Sequence, residues 1–331
     1  MKKILLATTI LSAAAGFASA DVAVTGSARM GIVSTDGAST FSSNVHATFT
    51  GSGATDGGLA FGGSFDAHNA TAADGGTSGS AYISGAFGKI SMGGVDSGDK
   101  KSVGQLSSVG YEGLGSGNSI GYAADGGLLG LGDGADTVVG ADGAKVLYTY
   151  SSANVSVSAS SAQLSNGAGN HTAYGVGVAY TAGAMTMAVG YGSNSITDIE
   201  DATISGAITD ISASIKYAMG DTSVMAIYQD KSADVTVESV SVNILSDVTM
   251  GASVNQKMDA VTLTAYAVTS TIKSELLLNT DVSLNRMGLG VTYDLGGGAK
   301  FQAGWANVDL LADDTTVVSQ SAVDAGVNFS F

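Results

Sequence analysis

Cysteine and proline are both absent from the 331 residues of this chain. Without cysteine, no disulfide can stabilise the fold in an oxidising compartment. Proline lacks the backbone N–H that a central strand donates to its neighbour, so a chain built almost entirely of paired strands has little use for it. The two absences favour a protein made of hydrogen-bonded strands and exclude a disulfide scaffold.

Basic residues are scarce, with 13 Lys and Arg against 29 Asp and Glu. The first twenty residues carry two of the bases, Lys2 and Lys3, and no acid. A chain without them has 11 bases, 29 acids and a net charge of −18. Nucleic-acid-binding domains present a basic patch or stripe. The acidity therefore excludes nucleic acid as the expected partner.

A long apolar run occurs only near the N-terminus. Lys2 and Lys3 precede an apolar segment over residues 4–17 and the tripeptide Ala-Ser-Ala at 18–20. A cationic start, roughly 7–15 apolar residues and a small-x-small site are the parts of a secretory signal peptide. We expect residues 1–20 to be cleaved and residues 21–331 to be exported through the periplasm. A retained interfacial helix is the alternative.

Alternation explains how a chain with 48 glycines keeps a mean hydropathy of +0.27. From Val323 to Phe331 every odd position is apolar, and every even position is Asp, Gly, Asn or Ser. The segment that begins at Asp21 alternates in the same way. A period of two indicates a strand. One apolar and one polar face per strand is typical of a membrane barrel, where lipid meets one face and water the other.

Sixteen such segments predict an all-β fold, a transmembrane antiparallel β-barrel of 16 strands. Bacterial single-chain barrels have an even number of strands. The predicted spans are 21–33, 41–51, 58–68, 79–87, 88–94, 144–151, 153–162, 171–181, 183–193, 208–218, 221–230, 244–256, 259–270, 284–295, 298–308 and 321–331.

Tight turns alternate with longer, acidic connections rich in Gly, Ser and Thr. Outer-membrane barrels have short periplasmic turns and longer external loops, so we expect the tight turns and both termini on the periplasmic side. Outward-phase Tyr150, Tyr180, Tyr217 and Tyr293 each precede a tight turn by a few residues. They form the expected aromatic girdle against outer-membrane lipid. Core aromatics of a β-sandwich are the alternative.

One connection, residues 95–143, lacks sustained alternation, and loops of such length are usually functional or disordered. A barrel of sixteen strands encloses an aqueous channel, and this loop folded inward would constrict it. Its expected acidic side comprises Asp96, Asp99, Glu112 and Asp125. Strand phase places a basic side on the opposing wall, with Arg29, His46 and Arg286. Charged walls set ion preference, and the excess of acids predicts mild cation selectivity. Plain solvation of these lumen residues is the alternative.

The chain resembles the general diffusion porins of Gram-negative bacteria, in particular the alphaproteobacterial type. The resemblance is carried by Asp21–Val33, Ser84–Ile90, Val109–Glu112, Gly290–Ala299 and the terminal Phe331. It implies a homotrimer with one pore per subunit and the third loop folded inward. It further implies that Phe331 is a signal for the outer-membrane assembly machinery and that Arg29 matches a wall arginine. Asn44, His46 and Asp66 stand where relatives tend to carry further bases, which puts anion preference in doubt.

The sequence therefore predicts an outer-membrane porin, spanning the membrane many times, for passive diffusion of small hydrophilic solutes and ions. A structural or adhesive surface barrel with a plugged lumen is the alternative. No catalytic constellation is present, so we expect no enzyme, and no cofactor is required. Asp309, Asp313 and Asp314 lie close together in an external loop and could bind Ca²⁺ through carboxylate oxygens. Solvated loop charge is the competing interpretation.

Overall fold

The computed structural model describes residues 21–68, 79–111, 114, 117–127, 145–166, 169–197, 204–237, 240–274, 281–313 and 315–331. The predicted signal peptide, residues 1–20, lies outside them, and its cleavage stays a prediction. Within these ranges no helix is both long and apolar enough to span a membrane.

Sixteen strands account for most of the described chain. They are β1 Asp21–Thr35, β2 Ala38–Ala54, β3 Ala60–His68, β4 Gly79–Gly85, β5 Gly88–Gly93, β6 Lys145–Ser152, β7 Val155–Asn166, β8 Gly169–Ala182, β9 Met185–Thr197, β10 Ile204–Met219, β11 Thr222–Val237, β12 Val240–Met258, β13 Val261–Lys273, β14 Val282–Gly296, β15 Ala299–Ala312 and β16 Thr315–Ser330. One α-helix, α1, covers Gly98–Val103, and a short 3₁₀ helix covers Ala123–Asp125.

Every strand pairs antiparallel with its neighbours in sequence, and β1 pairs with β16, so the barrel is closed. Closure brings Arg29 opposite Asn328 and Ser27 opposite Ser330. Full closure leaves no unpaired strand edge, which hydrocarbon would not tolerate. The predicted class, a 16-strand antiparallel barrel, is confirmed, and each of the sixteen predicted segments overlaps one strand.

The end of the barrel opposite the tight turns differs from the expectation. Asp36 and Gly37 alone connect β1 to β2, with φ values of 49° and 85°, so this connection is a two-residue hairpin turn rather than a longer loop. Strands β10, β12 and β16 begin four to six residues earlier than predicted. These extensions were missed because they lie beyond the lipid, where water reaches both faces of a strand. The sequence there has no reason to alternate between apolar and polar residues.

The outer face carries the apolar residues, as the alternation predicted. On β16, Val323 is 46% exposed whereas the next residue, Asp324, is 5% exposed. The girdle residues Tyr150, Tyr180, Tyr217 and Tyr293 are all exposed on the outside. In a soluble β-sandwich these side chains would be packed in the interior. Their exposure fits contact with lipid, and the sandwich alternative is excluded by the closed barrel.

The hydrophobic core lies inside the barrel, between the long loop and part of the wall. Loop residues Val103, Leu106 and Val109 pack there with the wall residues Ile227 and Val268. Because most of the apolar wall surface faces outward, this inner core involves one sector of the barrel only. The core positions the loop, and the loop shapes the candidate site.

Candidate functional site

The first described part of the long loop, residues 94–111, follows the inner wall. Helix α1 lies against β7, β8 and β9. The backbone N–H of Gly98 donates to Ser160 Oγ on β7 at 2.8 Å. Further along, Ser214 Oγ on β10 donates to Val103 O at 2.8 Å. The loop therefore runs round the wall, bonded to one strand after another.

The far end of this segment reaches the strands that close the barrel. The N–H of Ser107 donates to Ser253 Oγ on β12 at 3.2 Å. The N–H of Tyr111 donates to Asp324 Oδ2 on β16 at 2.9 Å. Residues 94–111 therefore extend from β7 to β16, and we call this segment the wall strap.

Glycines in the wall let the strap approach closely. A Cβ atom on Gly304 of β15 would lie 2.5 Å from Gly110 N. A Cβ on Gly98 itself would lie 2.4 Å from Gly175 O on β8. Neither distance is compatible with a side chain, because the opposing atoms belong to backbone. Part of the high glycine content is thus required by contact between the loop and the barrel.

The loop then turns back along the strap. Gln105 and Ile120 are joined by two hydrogen bonds, from Gln105 Nε2 to Ile120 O and from Ile120 N to Gln105 Oε1, both 2.8 Å. Asn118 Nδ2 donates to Leu106 O at 2.6 Å, and Tyr122 OH donates to Gly104 O at 2.5 Å. Residues 117–127 therefore form a second layer on the strap.

Asp99 lies beneath this double layer, not on the channel surface. This residue is fully buried. A Cβ on Gly192 would lie 2.5 Å from Asp99 Oδ2 and 2.6 Å from Asp210 Oδ1, so the two carboxyl groups are close together. Burial, and secondly the charge of Asp210, raise the pKa of Asp99 to about 7. The expectation that Asp99 borders the water is corrected: the carboxyl faces the wall.

Asp125 and Asp96 are joined to loop and wall lysines. Asp125 Oδ1 lies 2.5 Å from Lys145 Nζ on β6, and Asp125 Oδ2 lies 3.4 Å from Lys100 Nζ. Lys100 Nζ also lies 3.1 Å from Asp96 Oδ1. Only Asp96 of these acids is substantially exposed, at 47% of its side chain. Glu112, the fourth predicted loop acid, lies outside the described residues.

Arg286 on β14 was expected to face the water, but it is 3% exposed and lies under the returning layer. Its Nη1 donates to Ser119 O at 2.8 Å, and its Nη2 donates to Ser270 Oγ at 3.2 Å. A guanidinium has five N–H donors and can bond backbone and side chain together. Arg286 therefore holds the loop against the wall instead of facing an acidic loop across the channel.

Arg29 and His46 do reach the lumen. Both line a cavity of about 810 Å³ near the tight-turn end of the barrel, below the strap. His46 Nε2 lies 3.3 Å from Asp66 Oδ1 on β3, so this carboxylate accompanies the imidazole. The structure thus brings Arg29 and His46 together and separates them from Arg286.

Sequence reasoning missed three wall residues that organise the loop. Asp210 accepts a hydrogen bond from Ala123 N at 2.7 Å, and Lys231 faces Asp210 from the adjacent strand. Asp324 holds the end of the strap. Asp210 and Asp324 are charged residues at inward positions of predicted alternating segments, and Lys231 directly follows such a segment, so a signal was available in the sequence. The pattern reveals the inward direction but not which loop residue is opposite.

The external acids show no convergence in the described chain. Asp309 Oδ1 accepts a hydrogen bond from Ser319 Oγ at 2.5 Å, and Asp313 lies in a turn with φ of 46°. Asp314 is outside the described residues. Among the described ranges no group of three or more His, Cys, Asp or Glu side chains could hold a metal. Calcium binding at Asp309, Asp313 and Asp314 stays a prediction, tested by calcium-dependent thermal stability in an Asp313→Asn/Asp314→Asn variant.

The last residue completes the barrel seam. Phe331 N donates to Gly26 O at 2.9 Å, and Gly26 N donates to Phe331 O at 2.7 Å. The ring of Phe331 lies over Gly26, where a Cβ would be 2.3 Å from the ring. The terminal aromatic thus has a structural role at the seam, and its role as an assembly signal stays a prediction.

A closed sixteen-strand barrel, apolar outside and narrowed inside by a loop, defines the class of channel-forming outer-membrane barrels. A family model described as Gram-negative porin matches residues 7–313. The chain is 32% identical over 326 residues to a porin of Rhodobacter capsulatus, covering 94% of this chain and all of the relative. The chain belongs to the Gram-negative porin family, whose members are channels of the outer membrane.

Solved structures agree with this assignment. A refined porin structure with 32% sequence identity superposes with a TM-score of 0.73 and covers 94% of this chain and 100% of its own. An anion-selective porin from Comamonas acidovorans gives a TM-score of 0.69 at 14% identity, with 94% and 100% coverage. OmpT of Vibrio cholerae gives 0.71 at 17% identity, with 98% and 100% coverage. At such identities the last two matches show the fold alone.

Proposed function

We propose that this porin is a water-filled channel for passive diffusion of small hydrophilic solutes and ions. The observation that carries the proposal is the path of the wall strap. Its described residues stay bonded to the wall from β7 to β16 and leave a cavity beneath them. A plug would instead pack across the lumen and contact the wall on all sides.

Conductance of the purified protein tests the channel against a plugged surface barrel. In a planar bilayer with molar KCl, we expect nanosiemens-scale current steps. A protein that inserts, as judged by heat-modifiable mobility and strand circular dichroism, but gives no steps would support the plugged alternative. Permeation of one solute that saturates would indicate a substrate-selective porin instead.

The channel is proposed to prefer cations mildly. The described part of the loop contributes less acid to the channel surface than its sequence indicated, because Asp99 is buried and Asp125 is paired with lysines. Support comes from the overall excess of acids and from exposed Asp36 and Asp313 at the mouth opposite the tight turns. Charges near a mouth raise the local concentration of counter-ions. A reversal potential in a KCl gradient measures the preference, and anion selectivity would contradict it.

A homotrimer is proposed from the height of the wall. A membrane-crossing strand needs roughly 9–11 residues, whereas β4 has 7 residues and β5 has 6. Their outward residues Ile83, Ile90 and Met92 are exposed and apolar. This part of the wall is too short to span the lipid, and its side chains are too apolar to face water. Contact with further copies of this chain would cover it. One Vibrio cholerae relative of this fold is described as a trimer form.

Delivery to the membrane is proposed to follow export through the periplasm and recognition of Phe331 by the outer-membrane assembly machinery. The support is the N-terminal pattern of residues 1–20 and the exposed terminal ring, 67% accessible. Deleting Phe331 should reduce the fraction of protein recovered folded in outer-membrane preparations. Equal recovery of the deleted and full-length chains would contradict this role.

A further inference from the structure

Two of the three histidines of this chain lie opposite each other on neighbouring strands. His46 on β2 pairs with His68 on β3, and two residues away Thr48 pairs with Asp66. Directly opposed residues of an antiparallel pair have Cβ atoms about 4.5–5.5 Å apart, and residues two apart in a strand share a face. The ladder therefore places two histidines and one aspartate on a single small area of the barrel wall.

This area lies on the channel side of the wall. His46 lines the cavity beneath the strap. In the other phase of the same strands, the paired rings of Phe49 and Phe65 stack with their centroids 4.9 Å apart, and Phe65 is exposed on the outside. A slip of one residue would exchange the two faces of a strand. The outward phenylalanines therefore fix His46, Asp66 and His68 in the inward phase, where ions in the channel water can reach them.

The spacing between His46 and Asp66 fits two ligands of one metal ion. His46 Nε2 lies 3.3 Å from Asp66 Oδ1, which is longer than the about 2.7–2.9 Å of a charge-assisted hydrogen bond. Two donor atoms that each lie about 2.0–2.2 Å from a tetrahedral ion are roughly 3.3–3.6 Å apart. The two side chains are 32% and 27% exposed, so water has access to complete the coordination.

Thr48 orients the carboxylate from outside this ligand set. Its Oγ1 donates a hydrogen bond to Asp66 Oδ1 at 2.7 Å. A carboxylate oxygen has more than one lone pair, so it can accept this bond and also bind an ion. Hydrogen bonds to metal ligands fix the ligand orientation and raise the affinity for the metal.

Charges near the site act in both directions. Arg29 and Lys300 line the same cavity as His46 and oppose a cation. The Asp66 carboxylate offsets part of the charge of a bound ion, and the excess of 29 acids over 13 bases in the chain attracts cations to it. Imidazole suits Zn²⁺, Cu²⁺ and Ni²⁺, whereas Ca²⁺ and Mg²⁺ prefer oxygen ligands. The ligand types therefore select a transition metal.

We propose that His46, His68 and Asp66 form a channel-side binding site for a divalent transition-metal ion such as Zn²⁺, with water as the fourth ligand. The side chain of His68 lies outside the described part of the chain, and its assignment rests on its backbone register with His46. The site goes beyond the proposed diffusion function. A bound ion adds positive charge to a wall that permeating ions pass, and such charges set ion preference. Zn²⁺ therefore lowers the current carried by cations.

Calorimetric titration of the folded protein with ZnCl₂ in detergent tests the site. Millimolar CaCl₂ is present throughout, because it occupies sites that consist of carboxylates alone. We expect one Zn²⁺ per chain. Thr48→Val should raise the Kd about tenfold, since losing a hydrogen bond to a metal ligand costs about 10–100-fold in affinity. His46→Gln and His68→Gln each remove a ligand and should raise the Kd at least as much.

His171→Gln is the matched control, because it removes the third histidine, which lies on β8. It should leave the Kd for Zn²⁺ unchanged. Heat-modifiable mobility shows whether each variant is folded, and His68→Gln decides if His46→Gln does not fold. Absence of stoichiometric Zn²⁺ binding by the wild type, or equal weakening by His171→Gln, would overturn the site.

Planar-bilayer recording separates the metal site from the channel. Zn²⁺ added to the KCl solution should lower the single-channel current of the wild type and leave that of His46→Gln unchanged. Zn²⁺ binding with unaltered current would overturn the effect on permeation. KCl steps from a protein that does not bind Zn²⁺ would overturn the site alone, whereas Zn²⁺ binding by a protein without KCl steps would support the site and contradict the channel.

Discussion

The role of Asp99 in the structure differs from the role that its sequence position predicted. Its position in an acidic loop indicated a channel-lining charge, yet the carboxyl is buried against Gly190 and Gly192. A buried carboxyl favours its neutral form, because the charged form loses its hydration. The raised pKa of about 7 has this burial as its main cause.

The pH dependence of loop anchoring follows from that pKa. The folded protein holds the Asp99 proton above the usual carboxyl pKa of 3.8, whereas the unfolded loop releases it. Stability is therefore highest at low pH and falls as the pH rises from 3.8 to about 7, then stays constant. We expect limited proteolysis of the loop in detergent to be slower at pH 5 than at pH 8. Asp99→Asn, which is neutral throughout, should reduce this difference.

Asp36→Asn is the control for general pH effects. Asp36 is exposed in the β1–β2 turn, at the mouth opposite the tight turns. It should keep the pH dependence of the wild type. If Asp99→Asn shows the same dependence as the wild type, the burial of this carboxyl is not what couples the loop to pH.

At the scale of elements, the wall strap is held to the barrel wall at both of its ends. One end is held by α1 against β7 and β8, and the other by Asp324 on β16. Between them, Arg286 bonds the returning layer. The contacts of the strap join residues distant in sequence, and the strand ladders of the barrel do not involve the strap. Losing the contacts at one end should therefore release part of the loop without unfolding the barrel.

Asp324→Ala should free the far end of the strap. The variant leaves Tyr111 N without its acceptor, and a hydrogen bond to a charged group is worth about 1.5–3 kcal/mol. We expect proteolytic cleavage near Tyr111 to accelerate about tenfold or more, because about 1.4 kcal/mol is a factor of ten. Single-channel current should become noisier. Asp324→Asn keeps an acceptor oxygen and should lie between the wild type and the alanine variant.

Asp313→Ala serves as the control, because Asp313 lies in an external turn away from the strap. Its cleavage rate and current noise should match those of the wild type. Unchanged cleavage in Asp324→Ala would mean that the inner core, not this bond, holds the end of the strap.

The strand elements were largely predictable, and the loop path was not. On β16, lipid outside and water inside determine every residue locally, so the alternation is visible in nine consecutive positions. The strap has no such local cause. Whether Asp96 or Asp99 is buried depends on which wall strand lies opposite, and the partners Asp210 and Asp324 are more than a hundred residues away in sequence.

At the scale of the whole molecule, the barrel is uneven in height. On the tall side, strands β10 to β12 have 16 to 19 residues and β14 has 15, whereas on the low side β4 and β5 have 7 and 6. Lipid can cover the tall side, where Leu289 and Met250 are exposed. The low side is too short to span the lipid, so its apolar surface requires contact with other protein. This asymmetry is the physical basis for the proposed trimer.

Ile90→Arg should dissociate the oligomer. The substitution adds a charge to the low apolar wall, where the proposed contact would bury it without a partner. We expect monomers in mild detergent by size-exclusion chromatography with light scattering. Leu289→Arg, on the tall wall, should remain oligomeric while losing about 2–4 kcal/mol of stability in lipid. Trimeric Ile90→Arg together with dissociated Leu289→Arg would place the interface on the wrong side.

The absence of cysteine allows the central claim to be tested directly by single-cysteine labelling of the protein in lipid vesicles. The claim is that the strands form a closed barrel around a water-filled channel, with alternate side chains facing water and lipid. A cysteine at Asn44 or Gln302 should react with a membrane-impermeant charged thiol reagent and lower the conductance, whereas one at Leu289 or Val254 should do neither. Labelling at Leu289 and Val254 with protection at Asn44 and Gln302 would contradict the account.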